Sequence, residues 1–203
     1  MSAFLGPIHN WLYNKIQIQN AMVDVILDLA EEKGYSQGLR TRADEQYGAF
    51  PEGNLEDLID TGNIHGWLQE KVSLVEGRMA YGVTELVKEN PDRLAEIEAA
   101  ISEFGRKLSV NGELTVKSAY EYLENTLLNG MPCDRVNALT EETEDKLAWR
   151  QTQDIHGSYW QQVNGDVSNY YTLREALIRG IFEGTSVEFG QVQDQSYELR
   201  RRV

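Results

Sequence analysis

The amino-acid sequence predicts an α+β fold, with a helical N-terminal two-thirds and a small antiparallel sheet plus a covering helix in the C-terminal third. Apolar residues recur at helical spacing through 7–33 and 63–89, and alternating segments bounded by turn residues follow later. Helices first and strands later are typical of α+β proteins. We therefore expect a helical region over 1–130 and an α+β region over 131–203, packed on it or continuous with it in one domain.

The first long helix is predicted to begin at Gly6-Pro7 and end at Lys33-Gly34, because proline suits the first turn of a helix and glycine suits its C-terminus. Residues 35–62 are rich in charged residues and glycine, and they predict a connection with one or two short helical turns. The other helices of this region are predicted from about Asn63 to Glu89, from Asn90-Pro91 onward, and from roughly Thr115 to Leu128.

The C-terminal third begins with a predicted hairpin. Residues 136–143 and 146–154 flank a turn, and apolar and polar positions alternate in the second segment. A helix from about Asn169 to Phe182 follows, with its apolar face toward the sheet. Residues 186–201 are rich in glutamine, valine and aromatic residues, and they predict one closing strand.

Composition excludes several classes of protein. The chain has 19 lysine and arginine residues against 33 aspartate and glutamate residues, a formal charge of −14. This charge disfavours nucleic-acid binding, which needs a basic face. No apolar run approaches the ~20 residues of a membrane span, and no signal peptide is expected. With a single cysteine, Cys133, these features predict a cytoplasmic protein.

The most informative pattern is an internal repeat around two histidines. Residues 8–16 read IHNWLYNKI and residues 64–72 read IHGWLQEKV, so isoleucine, histidine, tryptophan, leucine and lysine coincide at a shift of 56 residues. A third, looser copy contains Ile155-His156. A repeat of this kind predicts that the first two segments begin equivalent helices.

The repeat leads to the hypothesis of a zinc or iron site. His9 and His65 would lie in the first turns of long helices, where the helix dipole favours the neutral, metal-binding imidazole. His156 would be a third ligand or a general base, and Cys133 an optional fourth ligand, for metal-assisted chemistry on a small molecule. The alternative is that the histidines cap and pack helix starts and that Cys133 is a buried, inert thiol.

A second hypothesis is a non-catalytic ligand-binding or sensory module with an aromatic pocket. Aromatic faces with a few polar tips suit small organic ligands, although the same residues can form a core beneath a loop. The expected lining residues are Trp11, Trp67, Trp149, Tyr159, Trp160, Tyr170 and Tyr171. A third hypothesis is a structural homodimer whose interface is the repeated Trp-Leu motif. Nucleotide-binding, zinc-protease and serine-hydrolase motifs are absent from the sequence, which therefore names neither substrate nor reaction.

Overall fold

The predicted α+β architecture is confirmed in a computed structural model, which describes residues 4–110 and 112–202. The helices are α1 (Pro7–Lys33), α2 (Leu39–Tyr47), α3 (Leu55–Leu58), α4 (Ile64–Glu89), α5 (Arg93–Lys107), α6 (Val116–Thr126), α7 (Gly157–Gln162) and α8 (Ser168–Ile181). The strands are β1 (Asn137–Glu142), β2 (Lys146–Gln151), β3 (Val187–Gln193) and β4 (Ser196–Arg201). Across these described ranges, no helix combines the length and the apolarity that a membrane span requires.

The two repeat-related helices, α1 and α4, pack against each other and have the predicted ends. Gly34 closes α1 in the left-handed conformation at φ +68°, and its N–H donates to the carbonyl of Ala30. Asn63 caps α4, because its side chain accepts a hydrogen bond from the backbone N–H of Gly66 at 3.2 Å. Capping residues therefore fix where both long helices start or stop.

The helices α5 and α8 approach each other closely because glycine lies at their contact. A Cβ atom on Gly105 would lie 2.4 Å from the carbonyl oxygen of Leu177, and one on Gly180 would lie 2.2 Å from that of Ser102. Both distances are far inside van der Waals contact with backbone atoms. The covering helix α8 therefore depends on small residues to reach its position.

The four strands form one antiparallel sheet in the order β1-β2-β4-β3. The predicted hairpin is β1 and β2, but the prediction of one closing strand over 186–201 is wrong. That segment forms two strands, β3 and β4, joined by a turn in which Gln195 adopts φ +54°. The helix α7 was also not predicted.

Two hydrophobic clusters hold the elements together. The larger one combines α1, α4, α5, α6 and α8 with the inner face of the sheet, where Trp149 and Leu199 are buried. The smaller one lies between the N-terminal halves of α1 and α4, with Leu12 and Leu68 at equivalent positions of the repeat. The repeated leucines are therefore core residues in both copies.

Candidate functional site

The two histidines of the repeat lie beside each other. The ring centroids of His9 and His65 are 5.5 Å apart, and the ring planes are inclined at 51°. His9 is half-buried and His65 is exposed. The helices α1 and α4 therefore place their first turns at the same end of the molecule, as a site shared by these two histidines requires.

His9 closes the first turn of α1. Its Nδ1 accepts a hydrogen bond from the backbone N–H of Gly6 at 2.9 Å, which satisfies one of the free donors at the start of the helix. In a neutral imidazole whose Nδ1 is an acceptor, the proton lies on Nε2. That nitrogen then offers no lone pair to a metal ion, so metal binding by neutral His9 would require the capping hydrogen bond to break.

His156 lies elsewhere, in the interior. It is fully buried, and its Nδ1 is 3.0 Å from Oε2 of the buried Glu76. The ring of Tyr170 stacks on its imidazole with centroids 3.7 Å apart. Glu76 follows His65 along α4 by roughly 16 Å at 1.5 Å per residue. The structure therefore brings His9 and His65 together but does not bring His156 to them, because Glu76 and Tyr170 hold it deep in the core.

The predicted metal ligands do not form a cage. Within residues 4–110 and 112–202, no three histidine, cysteine, aspartate or glutamate side chains are grouped so that they could hold a metal ion. Cys133 is exposed in the loop before β1, contrary to the expectation of a buried thiol. The zinc or iron hypothesis gains no support from this geometry and stays a prediction.

The aromatic residues predicted to line one pocket occupy different environments. Trp149 and Trp160 are core residues, and Tyr170 is buried against the imidazole described above. The half-buried Tyr159 and Tyr171 use their hydroxyl groups in hydrogen bonds to side chains of other segments. These five residues therefore act mainly in packing and internal hydrogen bonding.

The tryptophans of the repeat are both half-buried, but their surroundings differ. Trp67 packs against Tyr13, with ring centroids 5.8 Å apart. Trp11 donates a hydrogen bond from Nε1 to Asn125 Oδ1 at 2.7 Å, and its ring lines a cleft. Among the aromatic residues singled out in the sequence, Trp11 is the one that leads to a candidate site.

The cleft has a volume of about 90 Å³ and opens between α1, the end of α6 and the loop that precedes β1. Two parts of the chain that are distant in the sequence, α1 and residues 124–137, supply its polar lining. These lining residues are Trp11 and Lys15 from α1, Glu124 from α6, Asn129 and Arg135 from the loop, and Asn137 at the start of β1.

Lys15 is the most unusual residue of the cleft, because its charged side chain is only 3% exposed. Its Nζ lies 4.0 Å from the centroid of the Trp11 ring, one turn earlier in α1. It forms no ion pair or hydrogen bond with another side chain in the described part of the chain. Burial lowers the pKa of Lys15 to about 8; Glu124 opposes this shift and Arg174 reinforces it.

Two asparagines of the cleft have incomplete hydrogen bonding. Asn137 donates from Nδ2 to Glu124 Oε1 at 2.8 Å, and Asn129 accepts at Oδ1 from Arg174 Nη1 at 2.7 Å. The remaining amide atoms, Asn137 Oδ1 and Asn129 Nδ2, are buried without a partner among the described residues. An unpaired buried polar atom costs about 1–3 kcal/mol, so a polar ligand or water is expected to satisfy both.

The loop over residues 130–135 has a fixed shape on one side of the cleft. Asp134 accepts a hydrogen bond at Oδ2 from the N–H of Met131 at 2.7 Å, and its own N–H donates back to the carbonyl of Met131 at 2.9 Å. Gly130 adopts φ +70°, and a Cβ there would lie 2.4 Å from Asp134 Oδ2. Arg135 adopts φ +48°, which is uncommon outside glycine and is often associated with functional segments.

The electrostatics of the cleft favour an anion. Lys15 and Arg135 contribute positive charges from different segments, and Arg174, only 4% exposed, lies behind Asn129. The single carboxylate of the lining, Glu124, already accepts a hydrogen bond. Lys15 and Arg135 outnumber Glu124 among the charged lining residues, which favours an anionic over a cationic ligand here although the whole chain has a net charge of −14.

Most of this site was missed by sequence reasoning. The repeat included Lys15, whose position on the buried stripe of α1 was the available signal, but nothing local marked Arg135 or Asn137. The arrangement can hold a small anion with charge-assisted and amide hydrogen bonds beside an aromatic face.

Comparison with known proteins assigns no family to this chain, since no family model, curated protein or solved structure gives a significant match to it.

Proposed function

We propose that this protein binds a small organic carboxylate in the cleft around Lys15. The observation that carries the proposal is Lys15, a residue only 3% exposed that lines a cleft open to solvent and forms no ion pair or hydrogen bond within the described residues; the carboxylate of Glu124 acts on it only at longer range. A bound carboxylate would supply the missing negative charge. Arg135 would bind the same group from the loop, and Trp11 would contact the apolar part of the ligand.

The two incompletely bonded asparagines define the polar pattern of the ligand. Asn129 Nδ2 is a free donor and suits a carboxylate or carbonyl oxygen, whereas Asn137 Oδ1 is a free acceptor and suits a hydroxyl or amine. A cavity of about 90 Å³ admits only a few non-hydrogen atoms within its enclosed part. The ligand class is therefore a small carboxylic acid with an additional polar group.

Other concave surfaces of the molecule fit this role less well. Two wider depressions, of about 300 and 350 Å³, lie beside β3 and on the outer face of the sheet. The charged residues that line them are all exposed or half-buried, so they are solvated without a ligand. In the cleft, by contrast, the largely buried Lys15 forms no ion pair within the described residues.

Isothermal calorimetry with a panel of two- to six-carbon hydroxy, oxo and amino acids tests the proposal. At least one compound should bind, and Lys15→Met should weaken it about 10- to 100-fold, the range expected for a lost charge-assisted hydrogen bond. Arg135→Gln should weaken it to a smaller extent. Lys71→Met is the matched control, because Lys71 occupies the equivalent position of the repeat over the Trp67 ring, away from the cleft. Absence of binding across the panel, or equal binding by Lys15→Met, would refute the proposal.

A further inference from the structure

We infer that Lys15 is a nucleophile that forms an imine with the carbonyl carbon of a small 2-oxo acid bound in the cleft. This inference rests on the proposed function and specifies its ligand class. Among small carboxylic acids, a 2-oxo acid places an electrophilic carbon directly beside the carboxylate. A carboxylate held by Arg135 from the loop would therefore present its neighbouring carbonyl carbon toward α1 and Lys15.

The geometry leaves the nitrogen of Lys15 available. Its described contact is with the face of Trp11, and no carboxylate holds it in an ion pair that would fix the proton on Nζ. Asn129 lines the same cleft, its Nδ2 is buried without an acceptor among the described residues, and this group would polarise the carbonyl oxygen. A carbonyl compound in the cleft thus meets an amine from α1, and a hydrogen-bond donor and a carboxylate anchor from the loop before β1.

The lowered pKa of Lys15 favours the reaction, because it leaves more of the amine neutral and nucleophilic. Burial lowers the pKa of Lys15 to about 8, against the opposing effect of Glu124 and with the help of Arg174. At pH 7 about one-tenth of Lys15 is then neutral, whereas an ordinary lysine would be neutral in less than about one part in a thousand. Lysines used for imine chemistry are commonly activated by burial or by a nearby cation.

The reaction is balanced without an oxidant or reductant. The lone pair of neutral Nζ attacks the carbonyl carbon, the N–C bond forms, and the π electrons move to oxygen. One proton passes from nitrogen to oxygen to give the carbinolamine, with the carboxylate of Glu124 in the same cleft as the relay. A second proton reaches the hydroxyl oxygen, the C–O bond breaks, water leaves, and a protonated imine remains.

Reductive trapping tests the inference. The full chain is incubated with pyruvate and sodium borohydride, digested, and analysed by mass spectrometry. The peptide containing Lys15 should gain the mass of pyruvic acid less one oxygen atom, and trapping should become faster between pH 6 and pH 8. Lys15→Arg, which keeps the positive charge, should lose the adduct, whereas Lys71→Met should retain it at the wild-type rate.

Calorimetry with pyruvate on the same samples separates the two proposals. Binding of pyruvate without a Lys15 adduct would overturn the imine and leave carboxylate binding in place. Modification of surface lysines at a rate equal to that of Lys15 would also overturn it, because it would show no activation. No binding of any carboxylate would refute the proposed function and the inference together.

Discussion

Replacement of Lys15 by methionine should make the protein more stable and should change how its stability depends on pH. Methionine has a similar length and no charge, so it fills the same space beside Trp11 without an unpaired ammonium group. Where the wild-type residue makes the fold less stable than an apolar residue of similar size does, the wild-type residue has a role other than packing. The expected magnitude follows from the pKa of Lys15 and from its contact with the tryptophan ring.

The pKa of Lys15 falls from 10.5 to about 8 on folding. At 1.36 kcal/mol per unit, burial of the charged form costs about 3 kcal/mol at pH 7. The substitution also removes the cation–π contact, which stabilises the fold by roughly 1 kcal/mol. The free energy of unfolding of Lys15→Met should therefore exceed that of the wild type by about 2 kcal/mol. Between pH 8 and 10.5 the unfolded chain binds more protons at this lysine than the folded one. The wild-type free energy of unfolding should therefore rise with pH, by about 1 kcal/mol from pH 7 to pH 9 from this residue alone.

Urea denaturation at pH 7, 8 and 9 measures both effects. The difference in free energy of unfolding between Lys15→Met and wild type should be largest at pH 7 and shrink by about 1 kcal/mol at pH 9. Lys71→Met controls for removal of a lysine stacked on a tryptophan of the repeat, and it should not reproduce this change. A difference that does not vary with pH, or a less stable Lys15→Met, would refute the reasoning.

Three further predictions concern the core and are measured by the same denaturation experiment at pH 7. Glu76→Ala should cost about 3 kcal/mol or more, because it leaves the buried His156 without its partner; a loss below 1 kcal/mol would contradict the pairing. Gly180→Ala should cost more than about 2 kcal/mol through its clash with backbone, whereas Gly82→Ala, with only ordinary contacts, should be neutral or stabilising by up to about 1 kcal/mol. Trp67→Ala should cost about 1–3 kcal/mol, less than a fully buried tryptophan would, and a larger loss would show tighter burial.

The helices were predictable because their signals are local. Apolar spacing and terminal proline or glycine define α1, and an asparagine cap defines the start of α4. The turn between β3 and β4 lacked such a signal. The left-handed position that usually takes glycine or asparagine is occupied there by Gln195, so the sequence read as one continuous strand.

The site was only partly predictable, because its residues come together through tertiary packing. The repeat predicted that its two copies begin equivalent helices, and these helices pack side by side with His9 and His65 adjacent. It could not reveal that His156 contacts the middle of α4, because the partner, Glu76, carries no motif of its own. Lys15 and Asn137 line the same cleft although more than half of the chain separates them in the sequence. Hydropathy patterns give no information about contacts over such a separation.

Among the described residues, the buried charged side chains have direct polar partners, except Lys15. Glu76 contacts the imidazole of His156, and Arg78 donates to Asp44 at 2.7 Å, so each has a structural explanation in the folded chain. Lys15 is as deeply buried, yet within the described residues it forms no ion pair; it lies over an aromatic ring at an open cleft, and Glu124 acts on it only at longer range. Burying a charge that no side chain pairs with lowers the stability of the fold. Such a residue is expected where a bound ligand supplies the missing interaction. This contrast between Lys15 and the other buried charges, more than the shape of the cleft, is the reason for proposing a ligand-binding role for Lys15.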